Sequence, residues 1–307
     1  MGSPPRLRIA TRQSRLALWQ SEHAASQLRK ADSGLEVDLL PMSTRGDEVL
    51  DRSLAQIGGK GLFLKELEHA LLDRHADVAV HSLKDVPAES PDGLVLAAVL
   101  PRANWADLWL TRDGREPADL PEGSRVGTSS LRRQSQLLMN YPHLEVVPVR
   151  GNVETRLGRM SSGAVEAVVL AAAGIERLGL TPAHSRALLP PDFLPAPGQG
   201  VIVLQCRADD DRTRNRLAAL ECARTREQVD AERAVVKVLG ADCRMPLAAL
   251  AERRDGELFL AARLARPDGG DAIDVALSGP PDQAGELGRR VGERLLQLGA
   301  MSLLSRI

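Results

Sequence analysis

Apolar and polar positions follow two periods along the first hundred residues, and the periods take turns. "LRIATR" (7–12) reads as a strand, after which Ala17, Leu18, Ala24, Ala25 and Leu28 share one face of a helix expected near 14–30. "LEVDLLPM" (35–42) is a second strand. Phe63, Leu67, Ala70 and Leu71 place a helix after "GGKG" (58–61). "DVAVHSL" (77–83) is a strand expected to end at Lys84, and "LVLAAVL" (94–100) follows. The pattern then restarts: "RVGTSS" (125–130), "LEVVPVRGN" (144–152) and "AVEAVVLAAAG" (164–174) each lead into a helix. Alternating strands and helices predict α/β organisation in two doubly wound units of similar size.

From about residue 219 the pattern changes. "TREQVDAERAVVKVLG" (225–240) sets Ala231, Val235 and Val238 at helical spacing and closes on Gly240, where a helix C-terminal glycine belongs. "PLAALAERRDGELFLAARLA" (246–265) predicts a hairpin turning at Asp255-Gly256, with an amphipathic helix near 282–299 after it. These elements form a third, smaller α+β domain. Cys243 falls between the Gly240 stop and Pro246, which suits a strand start. It is therefore expected on a loop, able to reach solvent or a ligand. Cys206 shares a strand face with Ile202 and Leu204 in "VIVLQCR" (201–207) and is expected in a core, while Cys222 lies between two helices.

Composition narrows the partners. The net charge of −1 gives no general affinity for nucleic acid or membrane. Three Phe, three Trp and one Tyr leave little for base stacking. No apolar run has the length of a membrane span, and "MGSPPRLRIATR" lacks the apolar centre of a signal peptide. Three cysteines without a framework spacing fit a reducing cytoplasm, and six histidines without ligand spacing predict no metal site.

The candidate chemistry sits at the C-terminal ends of predicted strands, where open α/β sheets bind ligands. Arg12 and Ser14 follow the first strand, and Ser82, Lys84 and Asp85 follow the third. Thr128, Ser129 and Ser130 make a hydroxyl-rich turn into a helix that starts with Arg132 and Arg133, and Arg150 and Arg156 flank the next helix start. Singly, such residues are ordinary caps and solvated arginines. Together they imply a ligand with several carboxylates or phosphates. Two arginines in a helix's first turn oppose the macrodipole at about 0.3–1 kcal/mol each, which makes sense where an anion takes the free N–H groups. "GGKG" is not a P-loop, because the earlier glycine is missing and Gly61 replaces the Ser/Thr. A polycarboxylate is thus favoured over a nucleotide. Asp85 is the one acid in this basic collection, placed to stabilise a cation forming on a substrate.

"RIATRQSRLALWQ", "GGKGLFLKELE", "AVHSLKDVP", "VGTSSLRRQ", "RGNVETRL", "LPAPGQG", "AERA" and "CRMPLA" resemble, in order, the porphobilinogen deaminase family. The resemblance runs from about residue 7 to the C-terminal helix. It implies two periplasmic-binding-protein-like domains with a cleft between them, residues 1–100 with 201–218 and residues 101–200, and a cysteine-bearing third domain, 219–307. It also implies that four porphobilinogen molecules are condensed head to tail, with loss of ammonia, into hydroxymethylbilane by a monomer. A dipyrromethane cofactor would be attached through a thioether to Cys243. Asp85 would contact pyrrole nitrogens and stabilise the azafulvenium cation. Lys84, Ser82, Arg132, Arg133, Thr128, Ser129, Ser130, Arg150, Gly151 and Arg156 would bind the cofactor. Arg12, Ser14, Arg177, Gln199 and Lys60 would bind substrate.

Three departures stand out from the family pattern. Gln56 replaces a usual lysine, "RANWADLW" (102–109) replaces an Asp-Pro-Arg-Asp stretch, and Asp242 replaces the glycine before the cysteine. An acid beside Cys243 should raise its thiol pKa, with Arg244 opposing. Two other readings remain open on the residues alone. One is a non-catalytic two-lobed polycarboxylate-binding protein; the other is an enzyme using Cys243 for acyl transfer, for which no histidine motif offers a partner.

Overall fold

The computed structural model describes residues 5–43, 64–242 and 245–304; Gln56, Lys60, Phe63, Cys243 and Arg244 lie outside the described residues. The elements begin with β1 (Arg6–Arg12), α1 (Arg15–Ala31), β2 (Glu36–Met42), α2 (Lys65–Leu72), β3 (Val78–Ser82) and β4 (Leu94–Val99). There follow β5 (Asp107–Thr111), β6 (Arg125–Gly127), α3 (Leu131–Asn140), β7 (Glu145–Val147), α4 (Val153–Ser161), β8 (Ala167–Ala171), α5 (Ala172–Arg177) and β9 (His184–Leu188). The rest are β10 (Ile202–Arg207), α6 (Asp211–Ala218), α7 (Ala223–Leu239), β11 (Leu247–Arg254), β12 (Glu257–Ala265), β13 (Ala272–Gly279), α8 (Ala284–Gln297) and α9 (Ala300–Leu304). Contacts divide the chain into two compact units, Met1–Ala103 with Val201–Arg226, and Asn104–Gly200 with Glu227–Ile307.

The first unit is built on a mixed five-stranded sheet ordered β2-β1-β3-β10-β4. β1 runs parallel to β2 and β3, whereas the returning β10 is antiparallel to β3 and β4. Strand alternation splits the core between two faces. Ile9, Val78, Val80, Leu204 and Cys206 pack with Ala24 and Leu28 of α1 and Leu217 of α6, while Ala10 and Ala79 pack with Leu67, Ala70 and Leu71 of α2. Cys206 is a core residue, as its strand face predicts, and burial pushes its thiol up to about 11. One expectation for α1 needs correction. Ala17 and Leu18 are only half-buried, and Gln20 and Ser21 complete the buried face in their place.

The second unit holds the sheet β7-β6-β8-β5-β9, again mixed, with β5 antiparallel to β8 and β9. α3 covers one face through Leu137, and α4 and α5 cover the other through Met160 and Ile175. The same unit contains the antiparallel sheet β11-β12-β13, backed by α7 and α8 around Ala231, Val235, Leu260, Leu287 and Val291. Its first hairpin turns at Asp255 (φ 48°) and Gly256 (φ 87°), the left-handed pair an Asp-Gly turn requires. β5, β9 and β13 were not anticipated. β9 is an exposed edge strand without alternation, and β5 lies inside the 102–109 departure and just beyond it.

Candidate functional site

In the first unit the strand ends gather as the sequence predicts. β1 and β3 are parallel neighbours, so their C-terminal ends share one edge of the sheet. Arg12 ends β1, and Ser14 caps α1 by accepting from the Ala17 N–H at 3.3 Å. β3 stops at Ser82, earlier than the expected Lys84, and the chain enters a 3-10 turn, Leu83–Asp85. The reason is local: the Val201 carbonyl takes the Leu83 N–H at 3.0 Å, and the Val86 N–H closes back on the Leu83 carbonyl at 2.9 Å. The turn buries Leu83, leaves Lys84 half-buried and exposes Asp85. Gln20 donates to the Ser82 hydroxyl at 2.8 Å. Gln20 was missed; the available signal was a polar residue on the buried face of an amphipathic helix.

Behind this edge runs a buried polar line. His81 Nε2 lies 2.9 Å from Gln205 Oε1, and Gln205 Nε2 donates to Glu68 at 3.2 Å. With the Gln205 oxygen left to accept, the proton of His81 is assigned to Nε2. Burial pulls the imidazole down to about 4, outweighing the Gln205 bond and the nearby Asp85 charge. The ring is therefore neutral at physiological pH.

In the second unit β6 is parallel to both β7 and β8, which brings a second set to one edge. The hydroxyls of "TSS" hold the turn into α3. Thr128 accepts from the Ser130 N–H at 3.2 Å, Ser129 donates to the Val149 carbonyl at 3.1 Å, and Ser130 caps the helix at the Arg133 N–H. After β7, Gly151 takes φ 99°, and its carbonyl accepts from Arg156 Nε at 2.9 Å. Arg150 and Arg156 are half-buried. Arg177, in the last turn of α5, donates to the Gly200 carbonyl at 2.7 Å, and burial brings its guanidinium down to about 10.

Arg132 and Arg133 have a setting the sequence did not reveal. They are 4% and 5% exposed, and both face Asp107, 2% exposed, at the start of β5. Arg132 Nη1 donates to one Asp107 oxygen at 2.7 Å, and Arg133 Nε and Nη2 donate to the other at 3.0 and 2.7 Å. Gln199 Nε2 adds a bond to Asp107 at 3.0 Å and one to the Trp105 carbonyl at 2.7 Å. Burial would raise the Asp107 carboxyl, but the two guanidinium groups prevail and hold it well below the usual range. So an anion at the head of α3 is the protein's own. Losing that carboxylate would leave two buried cations unbalanced, a cost of about 3–5 kcal/mol. The readable signal was an acid opening an apolar run, "ADLWL".

A second buried carboxylate lies nearby in the same unit. Glu232 of α7 is fully buried and accepts from the Gly198 N–H at 2.6 Å and the Ala251 N–H at 2.8 Å. It ties the "GQG" turn to β11. Among the described residues no three of His, Cys, Asp and Glu gather as a metal site, and no helix is long and apolar enough to cross a membrane.

Each unit by itself carries cationic or hydroxylic side chains: Arg12, Ser14, Ser82 and Lys84 in the first, and Arg150, Arg156 and Arg177 in the second. Either set has the chemistry to hold the acetate and propionate arms of a dipyrromethane, which are anions. Comparison with known proteins gives the same assignment. Residues 7–215 match the family model "Porphobilinogen deaminase, dipyromethane cofactor binding domain", and residues 226–297 match "Porphobilinogen deaminase, C-terminal domain". A porphobilinogen deaminase from Xanthomonas campestris pv. campestris is 52% identical over 98% of this chain and 99% of its own. One from Bordetella parapertussis is 51% identical over 100% of this chain and 98% of its own. Among solved structures, the Bordetella pertussis BvgS periplasmic VFT2 domain aligns with a TM-score of 0.44 and 16% identity over 71% of this chain and 87% of that one. With both family models matched in order and about half of all residues shared along the full length, the chain belongs to the porphobilinogen deaminase family.

Proposed function

We propose that this enzyme of tetrapyrrole biosynthesis joins porphobilinogen units on a dipyrromethane held by Cys243, with Asp85 as its catalytic carboxylate. The observation that supports this most is the edge of the first sheet, where exposed Asp85 follows half-buried Lys84 and stands one strand from Arg12. When bound, the dipyrromethane supplies the pyrrole end to which substrate is joined. Arg12, Ser14, Arg177 and Lys60 receive substrate carboxylates, and Gln199, fully buried, supports the site through its bonds to Asp107 and the Trp105 carbonyl rather than by touching substrate. Lys84, Ser82, Arg150, Gly151 and Arg156 receive those of the cofactor, each charged contact contributing about 1.5–3 kcal/mol where desolvated. Asp85 accepts a pyrrole N–H and offsets the positive charge that develops on porphobilinogen as ammonia leaves. Arg132, Arg133, Thr128, Ser129 and Ser130 shape the head of α3 on which this binding depends. The chain works as a monomer in the cytoplasm, in the division 1–100 with 201–218, 101–200 and 219–307.

Intact mass and Ehrlich's reagent test this reading. The purified chain is expected to exceed its sequence mass by two pyrrole units and to colour. Cys243→Ala should lose both signals while staying folded. Asp85→Asn should keep both and lose turnover by about 100-fold or more, the scale of one preorganised electrostatic group. Added mass persisting in Cys243→Ala, or near-normal turnover in Asp85→Asn, would refute the corresponding role.

A further inference from the structure

In the second unit a buried acid, Asp107, bonds three residues that the family resemblance places in the site. Asp107 has two carboxylate oxygens, and both accept hydrogen bonds. One accepts from Arg132, while the other accepts from Arg133 twice and from Gln199. The three donors come from two places in the chain, the first turn of α3 and the turn that precedes β10. Each reaches further. Arg132 Nη1 also donates to the Leu194 carbonyl at 2.7 Å, and Arg133 Nη1 donates to the Val169 carbonyl of β8 at 2.9 Å. Gln136, one turn along α3, bonds both the carbonyl and the N–H of Leu194 at 3.0 and 2.8 Å. A single buried charge thus ties the start of α3, the middle of β8 and the "LPAPGQG" segment to one another. A guanidinium held in this forked way has little freedom to turn.

We infer that Asp107 is a positioning residue for the porphobilinogen reaction, setting the orientation of Arg132, Arg133 and Gln199 rather than touching substrate. Its effect on the reaction passes through these three, so the inference rests on their proposed place in the site. Two guanidinium groups around a vacated carboxylate position would also form a pocket selective for a small carboxylate.

The test uses the full-length chain. Asp107→Ala is expected to lower turnover by about 10–100-fold, the effect of misplacing groups near reacting atoms, and to lower the fraction carrying dipyrromethane by intact mass. Formate should restore both, because it refills the carboxylate position; chloride at equal ionic strength should not. Asp107→Asn, which keeps shape without charge, should show the same losses with no response to formate. Should the alanine variant not fold, the asparagine variant carries the test at a temperature where its circular dichroism is native. Full turnover and full cofactor content in either folded variant would overturn the inference. Formate that restores thermal stability but not turnover would also overturn it, since a purely structural counter-ion behaves that way. Failure of the underlying reading is separable, because the unsubstituted chain would then lack the dipyrromethane mass.

Discussion

His81 and Asp107 are both buried ionisable side chains, yet one is held neutral and the other charged. Their neighbours decide it. Asp107 has two guanidinium partners within hydrogen-bond distance, whereas His81 has an uncharged amide. His81 therefore falls from 6.5 to about 4 through burial. Between those values the unfolded chain binds a proton that the folded chain does not. This contribution to stability is present in full above about pH 6.5 and declines as pH falls through 4, by roughly 3 kcal/mol in total. Urea unfolding at pH 7 and pH 4.5 should show most of that loss in the native sequence. His81→Gln, which can still donate to Gln205, should show a clearly smaller difference. An unchanged pH dependence in the variant would mean that other groups carry it.

Among the elements, α7 and α8 come close enough that side chains are excluded between them. A Cβ on Gly288 would overlap the Ala231 carbonyl oxygen, and one on Gly292 would lie 2.7 Å from Val238 Cβ. The same helix carries Gly285, where an added Cβ meets nothing within 4 Å. Helix propensity alone favours alanine over glycine by up to about 1 kcal/mol. At Gly285 that preference should act unopposed, and Gly285→Ala should raise the melting temperature slightly. At Gly288 the obstacle is backbone, which cannot rotate away, so overpacking of about 1–3 kcal/mol should prevail. Gly288→Ala should therefore melt several degrees lower. Equal melting temperatures for the two variants would show that the helices separate at little cost.

At the scale of the whole molecule, the chain leaves the first unit after Ala103 and returns at Val201 to place β10 between β3 and β4. β10 is buried at every position and supplies Ile202, Leu204 and Cys206 to the core. Without it, β3 and β4 would each present an unpaired edge, and one face of the core would be open. Residues 1–103 alone should show no cooperative thermal transition by circular dichroism. Joining them by a short linker to 201–226 should restore one, because Leu100 and Ile202 are already hydrogen-bonded neighbours at 3.0 Å. Cooperative melting of residues 1–103 by themselves would contradict this account.

The residue pattern was enough for features set by local geometry. Period and caps placed β1, α1, β2, α3, α4, the Asp255-Gly256 hairpin and the Gly240 helix stop, since each depends on residues a few positions apart. The strand-end residues Arg12, Ser14, Ser82, Lys84 and Asp85 were legible for the same reason: a parallel strand delivers its last residues to a known edge. Features joined across long separations were not legible. The place of β10 depends on pairing with strands more than a hundred residues earlier, and β9 shows no alternation because every residue before its last, Leu188, is exposed. Arg132 and Arg133 read as ligand-facing because they crowd a helix start. Their burial against Asp107, 25 and 26 residues away, follows from strand order in the sheet, which local periodicity does not encode. Tertiary contact likewise set the state of His81, because the nearest polar partner of a buried ring comes from β10.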